Sequence, residues 1–141
     1  MGSRVRLSAH LATYTDARLV CGCGCGMGSR VEHWRPELLA VFEMMRGRMG
    51  RPLEVNSGWR CPSYNREVSI AELSQHAIGA ALDIRVPPGV DYSVLAGLAH
   101  EAVRALTGAQ GGVGLYPGYG MVHVDLGLGA AAHRRWSREE Q

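Results

Sequence analysis

The stretch Ser74-Gln75-His76-Ala77-Ile78-Gly79-Ala80-Ala81-Leu82-Asp83 decides how this chain is interpreted, together with the later run Met121-Val122-His123-Val124-Asp125. The first stretch holds a histidine and a carboxylate, and the second holds another histidine within an apolar run. Two imidazoles and one carboxylate can take three corners of a zinc tetrahedron and leave the fourth corner for water. His76, Asp83 and His123 are therefore candidate ligands of a catalytic, rather than a purely structural, zinc ion.

Both stretches contain a predicted β-strand whose candidate ligand lies on one face. Asp83 alternates with the apolar residues Leu82 and Ile84, and His123 lies between two valines. Successive side chains of a strand point to opposite faces, so each candidate ligand lies opposite the core residues. If the two strands are neighbours in one sheet, Asp83 and His123 converge. His76, on the loop before the first of these strands, then completes the set.

The remaining pattern predicts an α+β domain, with a small and mainly antiparallel sheet flanked by helices. The predicted elements are a helix over 35–49, a strand over 53–57, a short helix over 62–68, a strand over 80–86, a helix over 91–106 and a β-hairpin over 113–126. Pro36 suits the first turn of a helix, and Gly50 ends one. The second long helix is expected to bury a stripe made of Val94, Leu95, Leu98, Val103 and Leu106.

A single domain is predicted over residues 1–141, with an irregular N-terminal segment over 1–33 and a polar tail over 127–141. The last ten residues are expected to fray. The net charge is only +2, and the basic residues are scattered, so nucleic acid is not an expected partner. No apolar run reaches membrane-spanning length, so no membrane is expected either.

The pattern Ser74-x-His76-x-x-Gly79-x-Ala81-x-Asp83, followed by His123, resembles the signature of zinc D-alanyl-D-alanine carboxypeptidases. That group also contains phage L-alanyl-D-glutamate endolysins and murein endopeptidases, and the hedgehog signalling domain shares its fold. The runs 112–117, 122–125 and 134–136 are most similar to the branch that cuts peptidoglycan cross-links. The resemblance extends from about Glu54 to Trp136 and implies the hedgehog type of fold.

The resemblance also implies a zinc-dependent hydrolase of peptide bonds in peptidoglycan stem peptides or cross-links. It would act as a carboxypeptidase or an endopeptidase, with water activated by the metal as the nucleophile. A second hypothesis is a zinc-stabilised domain without turnover, which binds the cell wall or is a structural part of a phage virion. Expected partners are accordingly peptidoglycan peptides and, for a phage protein, virion proteins.

Two residues near the predicted metal centre are candidates for binding substrate. The resemblance implies that Arg60, in the run Ser57-Gly58-Trp59-Arg60, orients the substrate or stabilises charge developing on the carbonyl oxygen. The alternative for Arg60 is a surface arginine that caps a loop. Ser74 either hydrogen-bonds the substrate or fixes the loop that carries His76.

The general base is the weak point of the resemblance. Many relatives carry an acidic or histidine side chain two or three residues before the second histidine, where this chain has Met121 and Gly120. Asp125 is the nearest substitute, because it follows His123 by two residues on the same strand face. It is a candidate general base, or a partner that orients a ligand histidine.

The four cysteines leave three alternatives open. Cys21, Cys23 and Cys25 alternate with glycines, and Cys61 lies in the predicted active-site region. Cys61 could form a disulfide with one of the three, or the four thiolates could hold a structural zinc ion. Free thiols in a reducing compartment are the third alternative.

The expected localisation is left open between two possibilities. The N-terminal residues have neither an apolar run nor a cleavage site of the signal-peptide type. The chain is accordingly expected to act at the cell wall either as a phage lysin or virion-associated protein, or as a periplasmic protein whose leader was removed.

Overall fold

The computed structural model describes residues 6–12, 17–59, 75–108, 110–128 and 134–137. Its centre is a five-stranded sheet with two helices packed together beside it. The expected α+β architecture with a mainly antiparallel sheet is confirmed. The short helix expected over 62–68 lies outside the described residues. Within the described ranges, no helix combines the length and the apolar character needed to cross a membrane.

The first helix, α1, runs from Pro36 to Met49, as the sequence predicts. Proline suits the first helical position because its missing N–H would have no partner there. Gly50 ends the helix in the left-handed conformation, with φ at 72°, and donates its N–H to the Arg46 carbonyl. The face buried in the core consists of Leu38, Leu39, Val41, Phe42 and Met45.

The second helix, α2, runs from Tyr92 to Thr107 and packs against α1. The Asp91 side chain caps its start by accepting a hydrogen bond from the Ser93 N–H. The predicted core stripe is partly wrong, because Val94 is 52% exposed. Alanines supply much of the buried face instead. This face consists of Leu95, Ala96, Ala99, Ala102 and Val103.

The strands of the main sheet are β3 (Val55–Ser57), β4 (Ala81–Arg85), β5 (Gly112–Tyr116), β6 (Met121–Asp125) and β7 (Arg134–Ser137). Their order across the sheet is β3-β4-β6-β5-β7. The first four are antiparallel, whereas β7 runs parallel to β5. The expected hairpin is β5 and β6, joined by a 3₁₀ turn over Pro117–Tyr119. Residues 134–137 are part of the sheet, so the expected fraying does not hold for them.

The N-terminal segment contains a two-stranded sheet, β1 (Arg6–Ser8) and β2 (Leu11–Ala12), followed by short 3₁₀ turns. Glu43 of α1 holds this hairpin, because its carboxylate accepts hydrogen bonds from Ser8 and from both the backbone and the ring of His10. Two leucines of the hairpin, Leu7 and Leu11, are buried in the core.

Candidate metal centre

Asp83 on β4 and His123 on β6 are direct partners in the antiparallel register. Directly opposite residues project to the same face of a sheet, so their side chains meet. Asp83 Oδ1 lies 2.8 Å from His123 Nδ1, and both side chains are buried. The core residues Leu82, Ile84, Val122 and Val124 alternate with them along the two strands.

His76 reaches the same point from a 3₁₀ turn, Gln75–Ile78, that precedes β4. Its Nε2 lies 3.2 Å from Asp83 Oδ2, and its ring is 5.2 Å from that of His123 in an edge-on arrangement. On the other side of the ring, His76 Nδ1 lies 2.6 Å from the Gly58 carbonyl oxygen. A carbonyl oxygen can only accept, so His76 Nδ1 carries the proton and Nε2 of the neutral ring has a lone pair.

Three contacts hold the turn that carries His76. The Gln75 side-chain amide forms a pair of hydrogen bonds with the backbone of Leu128, 2.9 and 3.0 Å long. Gly79 ends the turn with φ at +69°, and a Cβ there would lie 2.2 Å from the His33 carbonyl oxygen. The Gly79 carbonyl in turn accepts from the Arg35 N–H. The turn is therefore held between the segment that follows β6 and the segment that precedes α1.

Asp125 is the partner of His123 on the side away from Asp83. Its Oδ2 lies 2.8 Å from His123 Nε2, and its side chain is fully buried. An ionised carboxylate can only accept, so Nε2 carries the proton and Nδ1 of a neutral His123 ring presents its lone pair to Asp83. This arrangement matches the carboxylate–histidine pairs that orient metal ligands in other proteins.

The buried carboxylate of Asp83 needs a positive charge beside it, which either a metal ion or a protonated imidazole can supply. Burial alone would raise the pKa of Asp83, but His76 and His123 hold it well below its usual range. Burial alone would lower the pKa of His123, but hydrogen bonds to Asp125 and Asp83 and their charges raise it to about 9. Without a metal, the proton that His123 retains therefore supplies that positive charge.

The donor set fits a zinc ion. His76, Asp83 and His123 each offer one ligand atom, and these three atoms lie within 4.8 Å of one another. The hydrogen bonds to Gly58 and Asp125 point the two imidazole lone pairs toward the Asp83 carboxylate. Two neutral imidazoles and a carboxylate are ligands that zinc prefers, and three protein ligands are usual where the ion is catalytic.

The structure describes only some of the other predicted site residues. Arg60, Ser74 and Cys61 lie outside the described residues. Met121 and Gly120, where relatives carry an acid or histidine, belong to the hairpin: Met121 is buried and its sulfur contacts the Asn56 amide at 3.2 Å, and Gly120 takes a φ of +66° in the turn. The sulfur atoms of Cys21, Cys23 and Cys25 lie within 4.8 Å of one another.

Sequence reasoning missed two contributors to the site. Ser57 on β3 is the register partner of Asp83, and Gly114 on β5 is the register partner of His123. Together the four residues form a row across the sheet. Ser57 lies beside Asp83, and Gly114, which has no side chain, lies beside His123. The alternating pattern over residues 53–57 could have placed Ser57 on this face, but the strand order that brings it next to Asp83 is not visible locally.

The chain belongs to the peptidase M15 family, whose sequence profile matches residues 12–125. It is 29% identical over 108 residues to the peptidoglycan L,D-endopeptidase MepK of Escherichia coli K12, and equally to that of Shigella flexneri. These alignments cover 70% of this chain and 54% of the relative, so the chain spans about half the length of the curated relatives it matches.

A solved structure shares the fold. The L-Ala D-Glu endopeptidase ChiX of Serratia marcescens superposes with a TM-score of 0.50 at 24% identity, over 67% of this chain and 81% of the ChiX chain. The family match confirms the resemblance drawn from the sequence, and the similarity to MepK agrees with its murein endopeptidase branch.

Proposed function

We propose that this chain is a zinc-dependent peptidase that hydrolyses peptide bonds in the stem peptides or cross-links of peptidoglycan. One observation carries the proposal: His76, Asp83 and His123 converge in a buried cluster whose two imidazole lone pairs face a carboxylate. The family membership supports peptide-bond hydrolysis. The relatives named as peptidoglycan and L-Ala D-Glu endopeptidases support the substrate class, and that substrate implies action at the cell wall.

His76, Asp83 and His123 would hold the ion. A bound Zn²⁺ supplies a Lewis acid for the scissile carbonyl and makes water a stronger acid near neutral pH. The protein's contribution is to keep both imidazoles in the tautomer that leaves the ligand nitrogen without a proton. The Gly58 carbonyl does this for His76, and the Asp125 carboxylate does it for His123.

Asp125 is proposed to act as a positioning residue rather than as the general base. Its carboxylate is already engaged with His123 Nε2 at 2.8 Å, and it is buried. An anion at this place makes the His123 ring a more basic ligand and fixes its orientation. The competing hypothesis is that Asp125 accepts the proton of the attacking water, and the Asp125→Asn variant separates the two roles.

Arg60 and Ser74 are proposed to hold the substrate. Arginine binds carboxylates in a bidentate manner, and peptidoglycan stem peptides are rich in carboxylates. Gly114 has no side chain beside His123 in the register of the sheet. This would leave room for a substrate backbone along the row that contains the ligands.

The test is digestion of purified sacculi followed by mass spectrometry of the released fragments. We expect soluble muropeptides from the wild-type protein, no release in the presence of a chelator, and recovery when zinc is added back. The His76→Ala and His123→Ala variants, checked for folding by circular dichroism, should release nothing. Release that survives removal of all metal would contradict the proposal. Stoichiometric zinc without any release would favour the wall-binding or virion structural domain instead.

A further inference from the structure

We propose that Cys21, Cys23 and Cys25 form a second metal site, which binds a zinc-like divalent ion through three thiolates. The site is separate from the histidine centre, and it braces the segment that holds His76. Cys61 lies outside the described residues and is not part of the proposed site. Only the bracing role rests on the proposed function of the histidine centre, since the metal site itself does not depend on it.

The three sulfur atoms lie close enough together to bind one metal ion. One sulfur from each cysteine lies within 4.8 Å of the others, and Cys21 Sγ lies 3.5 Å from Cys23 Sγ. A disulfide would bring two sulfurs to about 2.05 Å. Zinc–sulfur bonds of about 2.3 Å in a tetrahedron put neighbouring sulfurs about 3.8 Å apart, which is close to the observed separation.

Two glycines that follow cysteines in the loop explain why the thiols converge. Gly24 and Gly26 have φ values of +86° and +88°, and a Cβ on either would meet nothing within 4 Å. Glycine is therefore needed there for its backbone conformation and not for space. The loop closes through a hydrogen bond from the Cys21 N–H to the Met27 carbonyl. The left-handed residues curl the chain, so that alternate side chains gather on one side.

The chemistry of the cluster favours a soft cation. Thiolates select soft metals such as zinc, and binding of the ion releases the protons of the three thiols. Cys21 is buried, while Cys23 and Cys25 are exposed. Solvent can therefore deliver an ion to the cluster and remains close to it.

A chain of hydrogen bonds connects this loop with the histidine centre. The Gly28 carbonyl accepts from the Trp34 indole, and the Gly28 N–H donates to the His33 ring. The His33 carbonyl accepts from the Trp59 indole at 2.8 Å.

Gly58, the residue before Trp59, completes the connection to His76. Its N–H donates to the Arg18 carbonyl, and its carbonyl accepts from His76 Nδ1. A Cβ on Gly58 would lie 2.6 Å from the Leu19 carbonyl oxygen, so the two segments are in tight contact. An ion bound to the cysteine loop would therefore restrict the motion of Gly58, whose carbonyl orients the candidate ligand His76.

The test is anaerobic titration of the reduced, metal-free full chain with Co²⁺, followed by absorption spectroscopy, and with Zn²⁺, followed by metal analysis. We expect the wild type to bind two equivalents. The double variant His76→Ala/His123→Ala should keep one equivalent and show the intense near-ultraviolet band of cobalt–thiolate charge transfer. The triple variant Cys21→Ser/Cys23→Ser/Cys25→Ser should lose this band and one equivalent, while it keeps the other.

Two results would overturn the second site. One is the absence of the charge-transfer band from the histidine double variant at saturating Co²⁺. The other is a disulfide between any two cysteines in the zinc-loaded protein, detected by mass spectrometry of unreduced peptides. If the triple variant does not fold, the single variant Cys25→Ser should show a weaker band and lower affinity for Co²⁺. Sacculus digestion tests the histidine centre separately, so failure of one proposal does not imply failure of the other.

Discussion

Asp83 and His123 lie directly opposite each other on β4 and β6, and their side chains meet at 2.8 Å although 40 residues separate them in the chain. The pair forms the rigid part of the candidate metal centre, because both residues lie within hydrogen-bonded strands. His76 comes from a turn and depends on the contacts of Gly58, Gly79 and Gln75. Two of the candidate ligands therefore lie on the sheet and the third lies on a turn. Substitutions around the sheet residues and around the turn should have different effects.

Replacing Asp83 with asparagine should abolish stoichiometric zinc binding. The amide is neutral, so nothing would balance a divalent cation between two imidazoles, and the affinity should fall by more than the factor of about 10–100 typical of residues that only support a ligand. Metal analysis after dialysis and competition with a chromogenic chelator measure this loss. Asp91→Asn is the matched control, because Asp91 is an exposed carboxylate that caps α2 away from the centre, and it should leave zinc binding unchanged. An Asp83→Asn variant with wild-type zinc affinity would contradict the ligand assignment.

Replacing Asp125 with asparagine should reduce the zinc affinity about 10- to 100-fold and leave kcat largely intact at saturating zinc. The amide oxygen can still accept from His123 Nε2, but it lacks the charge that makes the ring a better ligand. Zinc competition and steady-state kinetics on a peptidoglycan fragment separate the two quantities. A variant with full zinc content, reduced kcat and an altered pH profile would instead identify Asp125 as the proton acceptor.

Replacing Gly79 with alanine should destabilise the protein by at least about 3 kcal/mol, because a left-handed φ and a backbone clash act together. The added Cβ would lie 2.2 Å from the His33 carbonyl oxygen. Gly89→Ala is the matched control: Gly89 also has a positive φ, +79°, but a Cβ there meets nothing within 4 Å. Gly89→Ala should lower the free energy of unfolding only by the conformational penalty of a left-handed residue, about 1–2 kcal/mol. Urea unfolding of both variants measures the difference, and equal losses would show that the contact with His33 is unimportant.

The carboxylate of Glu43 should make stability depend on pH. Burial alone would raise its pKa, but hydrogen bonds from His10 and Ser8 hold the pKa below its ordinary value of 4.5. The folded pKa lies below the unfolded one, so the stabilisation is present above about 4.5 and is lost as the pH falls through the folded pKa.

Glu43→Gln should accordingly lower the free energy of unfolding by about 1 kcal/mol at neutral pH. The difference from the wild type should shrink as the pH is taken below 4.5. Urea unfolding across this pH range is the measurement. Glu54→Gln is the control, because the exposed Glu54 carboxylate pairs with Arg85 at the surface. This substitution should change the free energy of unfolding little. A constant difference at all pH values would exclude the charge of Glu43 as its origin.

Much of the fold follows from local patterns in the sequence. The bounds of α1 are visible in the helical spacing of apolar residues and in Pro36 and Gly50 at its ends. The core stripe of α2 was less predictable: Val94 has the right spacing but is exposed, and alanines form much of the buried face instead. Strand β7 was not predicted, since pairing with β5, not the local pattern, makes residues 134–137 a strand.

By itself, the sequence determined the elements and the face of each strand on which a candidate ligand lies, because helical and strand periodicities are local properties. It also determined the types of the candidate ligands, since the residues of the motif can be recognised without coordinates. Only the tertiary structure decided that β4 pairs with β6 in the register that joins Asp83 to His123. The carbonyl that sets the tautomer of His76, and the gathering of three thiols in one loop, were likewise decided by the fold. These features depend on pairings and backbone conformations that no single segment specifies, and they arise only when distant parts of the chain pack together.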